Sequence, residues 1–292
     1  MVAPLVRQAD AAKMKRKLLE LDATDRVLND LFLLPRAKIH EWARLTNQTA
    51  QAKTGYVGQH LASVLTGVPG TGSAARGEDL ADKTEVKTCS RADQLGTCIT
   101  KDAKGKICGN PVPSWRTACG LCKGKDIKRK ADSHWIIRVT SKAEVDALVN
   151  RKRVLFILLD RPAETPADIR VRAWEVWPGH PEHKHFGLFV RDYYENNYLV
   201  KTPRAAPANL HPLSFNFLLM NPLLIFEATL RDADGEDPEV EPKLFVRPKT
   251  IRKTDLSPEL PPSLCKPAEI YSLLQRRKGR QILTTALRDG KT

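Results

Sequence analysis

The part of this chain that decides its interpretation is a short acidic and β-branched segment, Gly77-Glu78-Asp79-Leu80-Ala81-Asp82-Lys83-Thr84-Glu85-Val86-Lys87-Thr88-Cys89-Ser90. Successive side chains of a strand point to opposite faces, so Glu85 and Lys87 are predicted to project together while Val86 faces the core. A turn through residues 81–83 would return Asp79 to the side of Glu85. Two carboxylates and one ammonium group would then meet, and this arrangement predicts a metal-dependent hydrolytic centre.

Charge and composition limit the class of protein. The 292 residues include 48 Lys and Arg against 34 Asp and Glu, a formal net charge of +14. This excess favours a polyanionic partner, because neutralised phosphates release condensed counterions; a merely basic protein is the alternative. No apolar run approaches the roughly 20 residues of a membrane span, and residues 1–17 lack the apolar core of a signal peptide. Both absences predict a cytoplasmic protein.

The hydrophobic pattern predicts a mixed α/β architecture. Apolar residues recur at helical spacing over 12–45, with an interruption at Pro35, and again over 47–66. A helix over 141–149 is predicted to start with Ser141 as N-cap and Glu144 in a capping box, and a last helix is predicted over 268–287. Strands are predicted at 76–80, 84–90, 135–139, 154–159, 169–177, 186–191 and 222–230. This order predicts an α+β mixed sheet flanked by helices.

Four of the six cysteines, Cys98, Cys108, Cys119 and Cys122, have the spacing of a metal site. The Cys119-x-x-Cys122 pair, with Gly120 inside it, is the knuckle that wraps a tetrahedral ion. Structural Zn²⁺ is predicted, because nothing else indicates a disulfide framework in a cytosolic chain of this size. A redox pair or scattered buried thiols are the alternatives. Four thiolates close the coordination sphere, so the zinc would hold a basic finger in shape and would not perform hydrolysis.

Around residues 79–87 the chain resembles the PD-(D/E)XK nucleases, and among them the type II restriction endonucleases. The matching residues are Gly77-Glu78-Asp79-Leu80 and Thr84-Glu85-Val86-Lys87. The resemblance implies that Asp79 and Glu85 bind a catalytic Mg²⁺ or Mn²⁺ and that Lys87 orients or activates the attacking water. The family's motif often begins with Pro, which is absent here, so Glu78 and Asp79 are both candidates for the first ligand. Gln59 occupies the position of a helical Glu found in some members, and it could reach the metal through water.

Basic residues concentrate in and beside the cysteine segment. A run predicted to contact DNA phosphates, with base reading as the alternative, comprises Lys123, Lys125, Lys128, Arg129 and Lys130. Arg170 and Arg172 alternate on a predicted strand and could read guanine edges, although a solvated strand face explains them equally well. The acidic segment 231–241 is interpreted as a solvated loop. The histidines of residues 179–185 resemble a ββα-metal nuclease site, but a surface loop is favoured because no ligand helix is expected after them.

The resemblance implies a sequence-specific double-stranded DNA endonuclease, a type II restriction enzyme that hydrolyses phosphodiesters with Mg²⁺. A C2 homodimer is expected, since both strands of a short site must be cut. A non-catalytic zinc-ribbon DNA-binding protein and a repair or recombination nuclease are the rival interpretations. The expected regions are an N-terminal helical region at 1–50, a PD-(D/E)XK-like core at 51–96 and 132–230, a four-cysteine, zinc-binding basic insertion at 97–131, and a basic C-terminal segment at 243–292.

Overall fold

The computed structural model describes residues 21–46, 54–71, 78–113, 116–129, 133–162, 164–202, 205–235 and 237–245. The helix predicted at 268–287, nearly all of the basic segment 243–292, and Lys130 lie outside these residues. Within them, a five-stranded mixed sheet is flanked by helices. A separate three-stranded sheet and its loops contain Cys98, Cys108, Cys119 and Cys122. The predicted fold class is therefore confirmed. In the part of the chain that is described, no helix is long and apolar enough to cross a membrane.

The elements follow one another in an order that alternates between helices and strands. The helices are α1 Leu21–Leu28, α2 Leu34–Thr46, α3 Gly55–Thr66, α4 Lys142–Val149, α5 Lys184–Tyr193, α6 Leu199–Lys201 and α7 Phe215–Leu219. The strands are β1 Glu85–Ser90, β2 Gly96–Cys98, β3 Pro111–Val112, β4 Ile127–Arg129, β5 Trp135–Ile137, β6 Val154–Asp160, β7 Ile169–Val176, β8 Ala208–Leu210, β9 Leu223–Arg231 and β10 Glu239–Phe245.

The main sheet has the spatial order β1-β6-β7-β9-β10. Strand β1 runs parallel to β6, and the other neighbours are antiparallel. Strand β6 is apolar on both faces and buried from Val154 to Leu159, as its unbroken apolar run predicts. Because β1 lies at the edge, one side of its backbone can bind groups outside the sheet.

Each face of the sheet buries its own apolar layer. On the face of Val86, the layer includes Leu155 and Ile157 together with Leu61 and Leu65 of α3. The opposite face carries Cys89, Phe156 and Trp174, which pack with Trp135, Val145 of α4 and Phe186 of α5. Both layers are continuous across β6 and β7, and they hold the edge strand β1 between α3 on one side and the β5–α4 segment on the other.

The N-terminal helical prediction is confirmed for residues 21–46. Helices α1 and α2 are joined by a π-helical turn, Asn29–Leu33, in which the N–H of Leu34 donates to the carbonyl of Asn29. The turn stands directly before Pro35, which lacks an N–H for the regular ladder. The predicted cap of α4 is also present, because Ser141 Oγ accepts from the N–H of Glu144 at 3.2 Å. The Glu144 carboxylate returns to the N–H of Thr140, one residue earlier than a capping box requires.

The strand predicted at 186–191 is wrong, because this segment lies in α5. Phe186, Val190 and Tyr193 are buried at helical spacing while Leu188 is exposed, so the apolar period is 3.6 and not 2. Strand β5, predicted over 135–139, is present but pairs with β8 in a separate two-stranded sheet. Of the strand predicted at 76–80, the described residues contribute one bridge, between Gly70 and Leu80.

A buried polar cluster ties the N-terminal helices to the β9–β10 turn. The guanidinium of Arg36 donates to Asp93 at 2.9 Å and to Asp234 at 2.6 Å, and Arg161 pairs with the same Asp234. Arg36 and Asp234 have side chains only 2% and 13% exposed. The interpretation of residues 231–241 as a solvated loop is therefore wrong at Asp234, which is an acceptor for two buried arginines, and at residues 239–241, which lie in β10.

Candidate active site

Strand β1 presents Glu85 and Lys87 on one face, as the alternation predicts. The ammonium of Lys87 donates to Glu85 Oε1 at 2.7 Å, and the two side chains are 26% and 16% exposed, Lys87 being the more open. Val86 between them faces the opposite apolar layer and is 8% exposed. A carboxylate and an ammonium group therefore stand side by side, partly open to solvent, on the edge strand.

Asp79 reaches the same strand from the preceding turn. The turn is closed by hydrogen bonds from Leu80 N–H to the Thr84 carbonyl and from Lys83 N–H to the Leu80 carbonyl. Its tightness requires a positive φ of 69° at Lys83. Asp79 Oδ2 then accepts from the N–H of Val86 at 2.7 Å. The Asp79 carboxylate thus lies beside the residue that separates Glu85 from Lys87.

Helix α3 holds the other oxygen of Asp79. Gln59 Nε2 donates to Asp79 Oδ1 at 2.7 Å, so this amide binds the carboxylate directly. The helix approaches β1 closely because residue 58 is glycine. A Cβ at Gly58 would lie 1.8 Å from Thr88 Oγ1, a distance that atoms cannot adopt. Asp79 is therefore fixed by two uncharged donors, one from the strand and one from the helix.

Glu78, the other candidate for the first ligand, has a different partner. Its Oε1 accepts from Arg151 Nη1 at 2.8 Å, and Arg151 Nε lies 3.9 Å from Glu85 Oε2. The sequence reasoning missed Arg151. No local pattern marks it, because Arg151 closely precedes β6 and reaches the site only through the parallel pairing of β6 with β1, in which Val154 pairs with Glu85.

A second ion-pair network stands behind the turn. Arg153 donates to Thr84 Oγ1 at 2.8 Å, to Glu175 Oε1 at 2.9 Å and to Asp82 Oδ2 at 2.6 Å. Burial acts to raise the pKa of Asp82, but hydrogen bonds from Thr84, Arg153 and Lys152 outweigh it and hold this pKa far below its ordinary value. Burial raises the pKa of Glu175, against the influence of Arg153. The network anchors the turn that carries Asp79 to β6 and β7.

The oxygen donors of this site suit a hard divalent cation. Asp79 and Glu85 offer carboxylate oxygens, which Mg²⁺ and Mn²⁺ prefer, and no sulfur or imidazole group contributes to the contacts described above. Among the described residues, the hydrogen-bond partners of Asp79 are uncharged, so its negative charge remains available to a cation. The residues present therefore fit a magnesium-type ion.

The four cysteines come together in the separate small module. Their Sγ atoms all lie within 4.8 Å of one another, with 3.5 Å between Cys98 and Cys122 and 3.8 Å between Cys108 and Cys119. Tetrahedral zinc with Zn–S bonds of about 2.3 Å requires sulfur atoms about 3.8 Å apart. The cluster therefore has the dimensions of a zinc site.

Backbone groups around the cluster favour thiolates. The N–H groups of Leu121 and Gly124 donate to Cys119 and Cys122 Sγ, each at 3.4 Å. Hydrogen bonds from the backbone of Cys122 and of Leu121 lower the pKa of Cys119 to about 6. The backbone N–H of Gly124 acts to lower the pKa of Cys122, but the neighbouring thiols raise it to about 12, because without a cation the cluster disfavours a second thiolate. The Cys98–Cys108 half is closed by two backbone hydrogen bonds, Cys98 N–H to the Asn110 carbonyl and Gly109 N–H to the Cys98 carbonyl, each at 2.9 Å. The donor set fits Zn²⁺.

The basic residues of this module divide into two groups. Lys123, Lys125 and Lys128 are exposed. Arg129 is also exposed, but its guanidinium donates to the carbonyls of Pro113 at 3.2 Å and Arg116 at 2.7 Å. Arg129 thus ties β4 to the loop after β3, and its donors are already used within the module.

Arg170 and Arg172 project from β7 toward Asp160 of the neighbouring strand β6. Arg170 Nη2 lies 2.9 Å and Arg172 Nη2 3.1 Å from Asp160 Oδ2. The guanidinium of Arg172 also lies over the Trp174 ring, 5.0 Å from its centroid, and the residue is 9% exposed. A solvated strand face is therefore the wrong description for Arg172, and both arginines share the carboxylate of Asp160.

The histidine loop before α5 is a structural feature. His183 is fully buried, its Nδ1 accepts from the N–H of Trp177 at 2.6 Å, and its ring stacks on the Trp177 ring. Burial lowers the pKa of His183 to about 4. A helix does follow this loop, contrary to expectation, but His183 serves as a neutral acceptor that closes the turn.

The comparisons with known proteins agree with the class that this arrangement indicates. The model of the MamI restriction endonuclease family matches residues 41–263, which include the acidic turn, β1 and all four clustered cysteines. The chain therefore belongs to the MamI restriction endonuclease family.

One curated relative is the type II restriction enzyme MamI of Microbacterium ammoniaphilum. It is 30% identical over 224 residues, which cover 73% of this chain and 63% of the relative. The matched part of the chain thus spans less than two thirds of the length of that protein. No solved structure matches the chain.

Proposed function

We propose that this protein is a type II restriction endonuclease that cleaves double-stranded DNA at a specific sequence. The observation that carries the proposal is the 2.7 Å contact of Asp79 with Val86, which brings a second carboxylate to the strand of Glu85 and Lys87. Membership of a restriction endonuclease family supports the reaction class. The formal net charge of +14 supports a nucleic-acid partner.

The chain's own groups have separate roles in this proposal. Asp79 and Glu85 hold Mg²⁺ or Mn²⁺, which when bound neutralises phosphate charge and lowers the pKa of a coordinated water. Lys87, held by Glu85, keeps a positive charge beside the position of the attacking water. Gln59 and the N–H of Val86 fix the plane of the Asp79 carboxylate.

The zinc module is proposed to bind the DNA backbone. Zn²⁺ on the four cysteines holds the three-stranded sheet in shape, and Lys123, Lys125 and Lys128 contact phosphates. Lys130 belongs to the same basic run and lies outside the described residues. Arg129 contributes by holding the module together, since its donors are bound to backbone carbonyls.

Base reading by Arg170 and Arg172 would require both side chains to leave an existing ion pair. Each guanidinium already pairs with Asp160. A guanine would have to compete with a carboxylate for the same donors.

Cutting both strands of a short site favours a symmetric homodimer. Sedimentation of the protein with and without DNA measures whether two chains act together.

The test is digestion of one DNA of known sequence with Mg²⁺, followed by mapping of the ends. Discrete fragments with one common end sequence are expected. A Glu85→Gln variant is expected to bind the DNA without cutting it, whereas Glu241→Gln, the same change at the opposite edge of the sheet, is expected to cut normally. Nicks or smears would indicate a repair or recombination nuclease, and binding without any cutting by the unmodified protein would indicate a zinc-ribbon DNA-binding protein.

A further inference from the structure

Arg151 faces both Glu78 of the acidic turn and Glu85 of β1 in the candidate active site. It lies between α4 and β6, with its N–H bonded to the Leu148 carbonyl, and its side chain is 17% exposed. Its Nη1 donates to Glu78 Oε1 at 2.8 Å. Its Nε is buried, has no hydrogen-bond partner among the described residues, and lies 3.9 Å from Glu85 Oε2.

The fold leaves Arg151 little choice of position. Glu85 pairs with Val154 in the parallel ladder, and the N–H of Glu85 donates to the Arg153 carbonyl at 3.1 Å. The segment before β6 is therefore fixed beside the first residue of β1. As a result, the Glu85 carboxylate lies between two cations, with Oε1 on Lys87 and Oε2 facing Arg151.

The partners of the two acidic neighbours differ in charge. Glu78 is engaged by a guanidinium, whereas Asp79 accepts from an amide and a backbone N–H. If Glu78 moved to bind a cation, a largely buried Arg151 would lose the carboxylate that it hydrogen-bonds, which is costly. Within the described residues, Asp79 can bind a cation without leaving a charge unpaired.

We propose that Arg151 is a positioning residue for Glu85 and that Glu78 is the clamp of Arg151, not a metal ligand. This inference rests on the proposed nuclease function. Arg151 orients the Oε2 side of Glu85 and offsets the repulsion between Glu78, Asp79 and Glu85. The first ligand of the catalytic ion is then Asp79. Groups that orient metal ligands in this way typically change metal affinity or activity by about 10–100-fold.

A double-mutant cycle tests the clamp. Single-turnover cleavage is measured against Mg²⁺ concentration for Arg151→Gln, Glu78→Gln and the double variant. Arg151→Gln is expected to lower the saturating rate by about 10–100-fold. The double variant is expected to cleave at the Arg151→Gln rate, because the proposal has Glu78 act on the site through Arg151. Arg231→Gln, which breaks ion pairs with Glu241 and Asp168 at the far side of the sheet, is the matched control.

Metal binding distinguishes a clamp from a ligand. Calorimetric titration with Mn²⁺ is expected to give an affinity for Glu78→Gln no weaker than that of Arg151→Gln, and a strongly weakened one for Asp79→Asn. A weaker affinity for Glu78→Gln than for Arg151→Gln, multiplicative rate losses in the double variant, or a normal rate for Arg151→Gln would each overturn the proposal. If thermal melts show that Arg151→Gln is unfolded, Arg151→Lys replaces it, since lysine keeps the charge without the planar fork. Arg151→Lys is expected to cleave at an intermediate rate. A normal rate would contradict the positioning role of Arg151. Lack of cleavage by the unmodified protein would instead contradict the proposed function.

Discussion

At the scale of single residues, the candidate site is organised by what each carboxylate accepts. Asp79 accepts from uncharged donors, Glu85 from Lys87, and Glu78 from Arg151. An anion with uncharged partners keeps its full attraction for a cation, whereas an ion-paired anion has already satisfied part of it. The three acidic residues of one short segment are thus differentiated by their surroundings.

Substitutions in the proposed catalytic set are expected to remove cleavage and leave DNA binding largely intact. Asp79→Asn and Glu85→Gln remove the charge that holds the cation, and Lys87→Ala removes the cation beside the attacking water. Each is expected to lower the cleavage rate by about 100-fold or more. Gel-shift titration of the same variants measures binding, and full activity of Glu85→Gln would refute the assignment of the site.

Asp82 is expected to make the free energy of unfolding depend on pH in the acidic range. Its pKa in the folded protein lies well below the ordinary value of 3.8, so its contribution is fully present above about pH 4 and declines as pH falls toward the folded pKa. Asp82→Asn is therefore expected to be less stable at pH 7, by about 1–3 kcal/mol, with a difference that shrinks below pH 4. Urea unfolding at pH 7 and below pH 4 measures the difference in the free energy of unfolding between the two proteins. Asp146→Asn, an exposed change on α4, is expected to show neither effect.

At the scale of elements, the contact of α3 with β1 sets the distance between Gln59 and Asp79. The contact is close because Gly58 presents no side chain to Thr88. Strand β1 has no further strand beyond it in the described sheet, so α3 and the acidic turn are its neighbours on that side. Displacement of α3 would move the amide of Gln59 away from the carboxylate that it holds.

Two glycine substitutions in α3 are expected to have opposite signs. Gly58→Ala gains helix propensity, but its Cβ would lie 1.8 Å from Thr88 Oγ1, so overpacking of about 1–3 kcal/mol dominates and cleavage falls. Gly55→Ala adds a Cβ that meets nothing within 4 Å and is expected to stabilise by up to about 1 kcal/mol. Thermal melts and cleavage assays compare them, and equal stability of the two variants would contradict this view of the contact.

The zinc module is expected to lose its metal when one clustered thiol is replaced. Cys119→Ser or Cys122→Ser should release about one zinc ion per chain and loosen the module, since metal binding is coupled to folding. Cys89→Ser is the matched control: Cys89 lies in the main core, and burial raises its pKa to about 12, so it stays a thiol. Elemental analysis is the measurement. Absence of zinc from protein purified without chelator would refute the assignment.

At the scale of the whole molecule, positive charge is distributed unevenly over the surface. The zinc module exposes Lys123, Lys125 and Lys128 and has Asp102 and Asp126 as its acidic residues between 97 and 131. The main sheet instead pairs its arginines internally, as Asp160 does with Arg170 and Arg172. Within the part of the chain that is described, attraction for a polyanion is therefore expected to concentrate on the module.

Replacement of Lys123, Lys125 and Lys128 by Ala is expected to weaken binding to all duplexes alike. The steepness of the salt dependence should fall by about one for each lost phosphate contact. A control that removes the same charge elsewhere, Lys38, Lys142 and Lys201 to Ala, is expected to change the slope less. Changed cleavage specificity in the first variant would mean that the module reads bases, and an unchanged slope would mean that these lysines face solvent.

Much of the architecture was determined by local sequence pattern. The unbroken apolar run of residues 154–159 predicted a strand buried on both faces, and the alternation around Val86 predicted the common face of Glu85 and Lys87. Ser141 and the grouping of the four cysteines were predicted equally well. In each case the information lies within a few residues, or in a ligand chemistry that admits few arrangements.

Tertiary structure alone decided the partners of these groups. Residues 186–191 became a helix because the apolar side chains meet the core at a period of 3.6, and Arg129 and Arg172 were drawn to acceptors within the fold. Arg151 lies far from Glu78 in sequence and reaches it only because β6 runs parallel to β1. Ion pairs of this kind depend on strand order and register, which are set by the packing of the whole sheet and not by any local period.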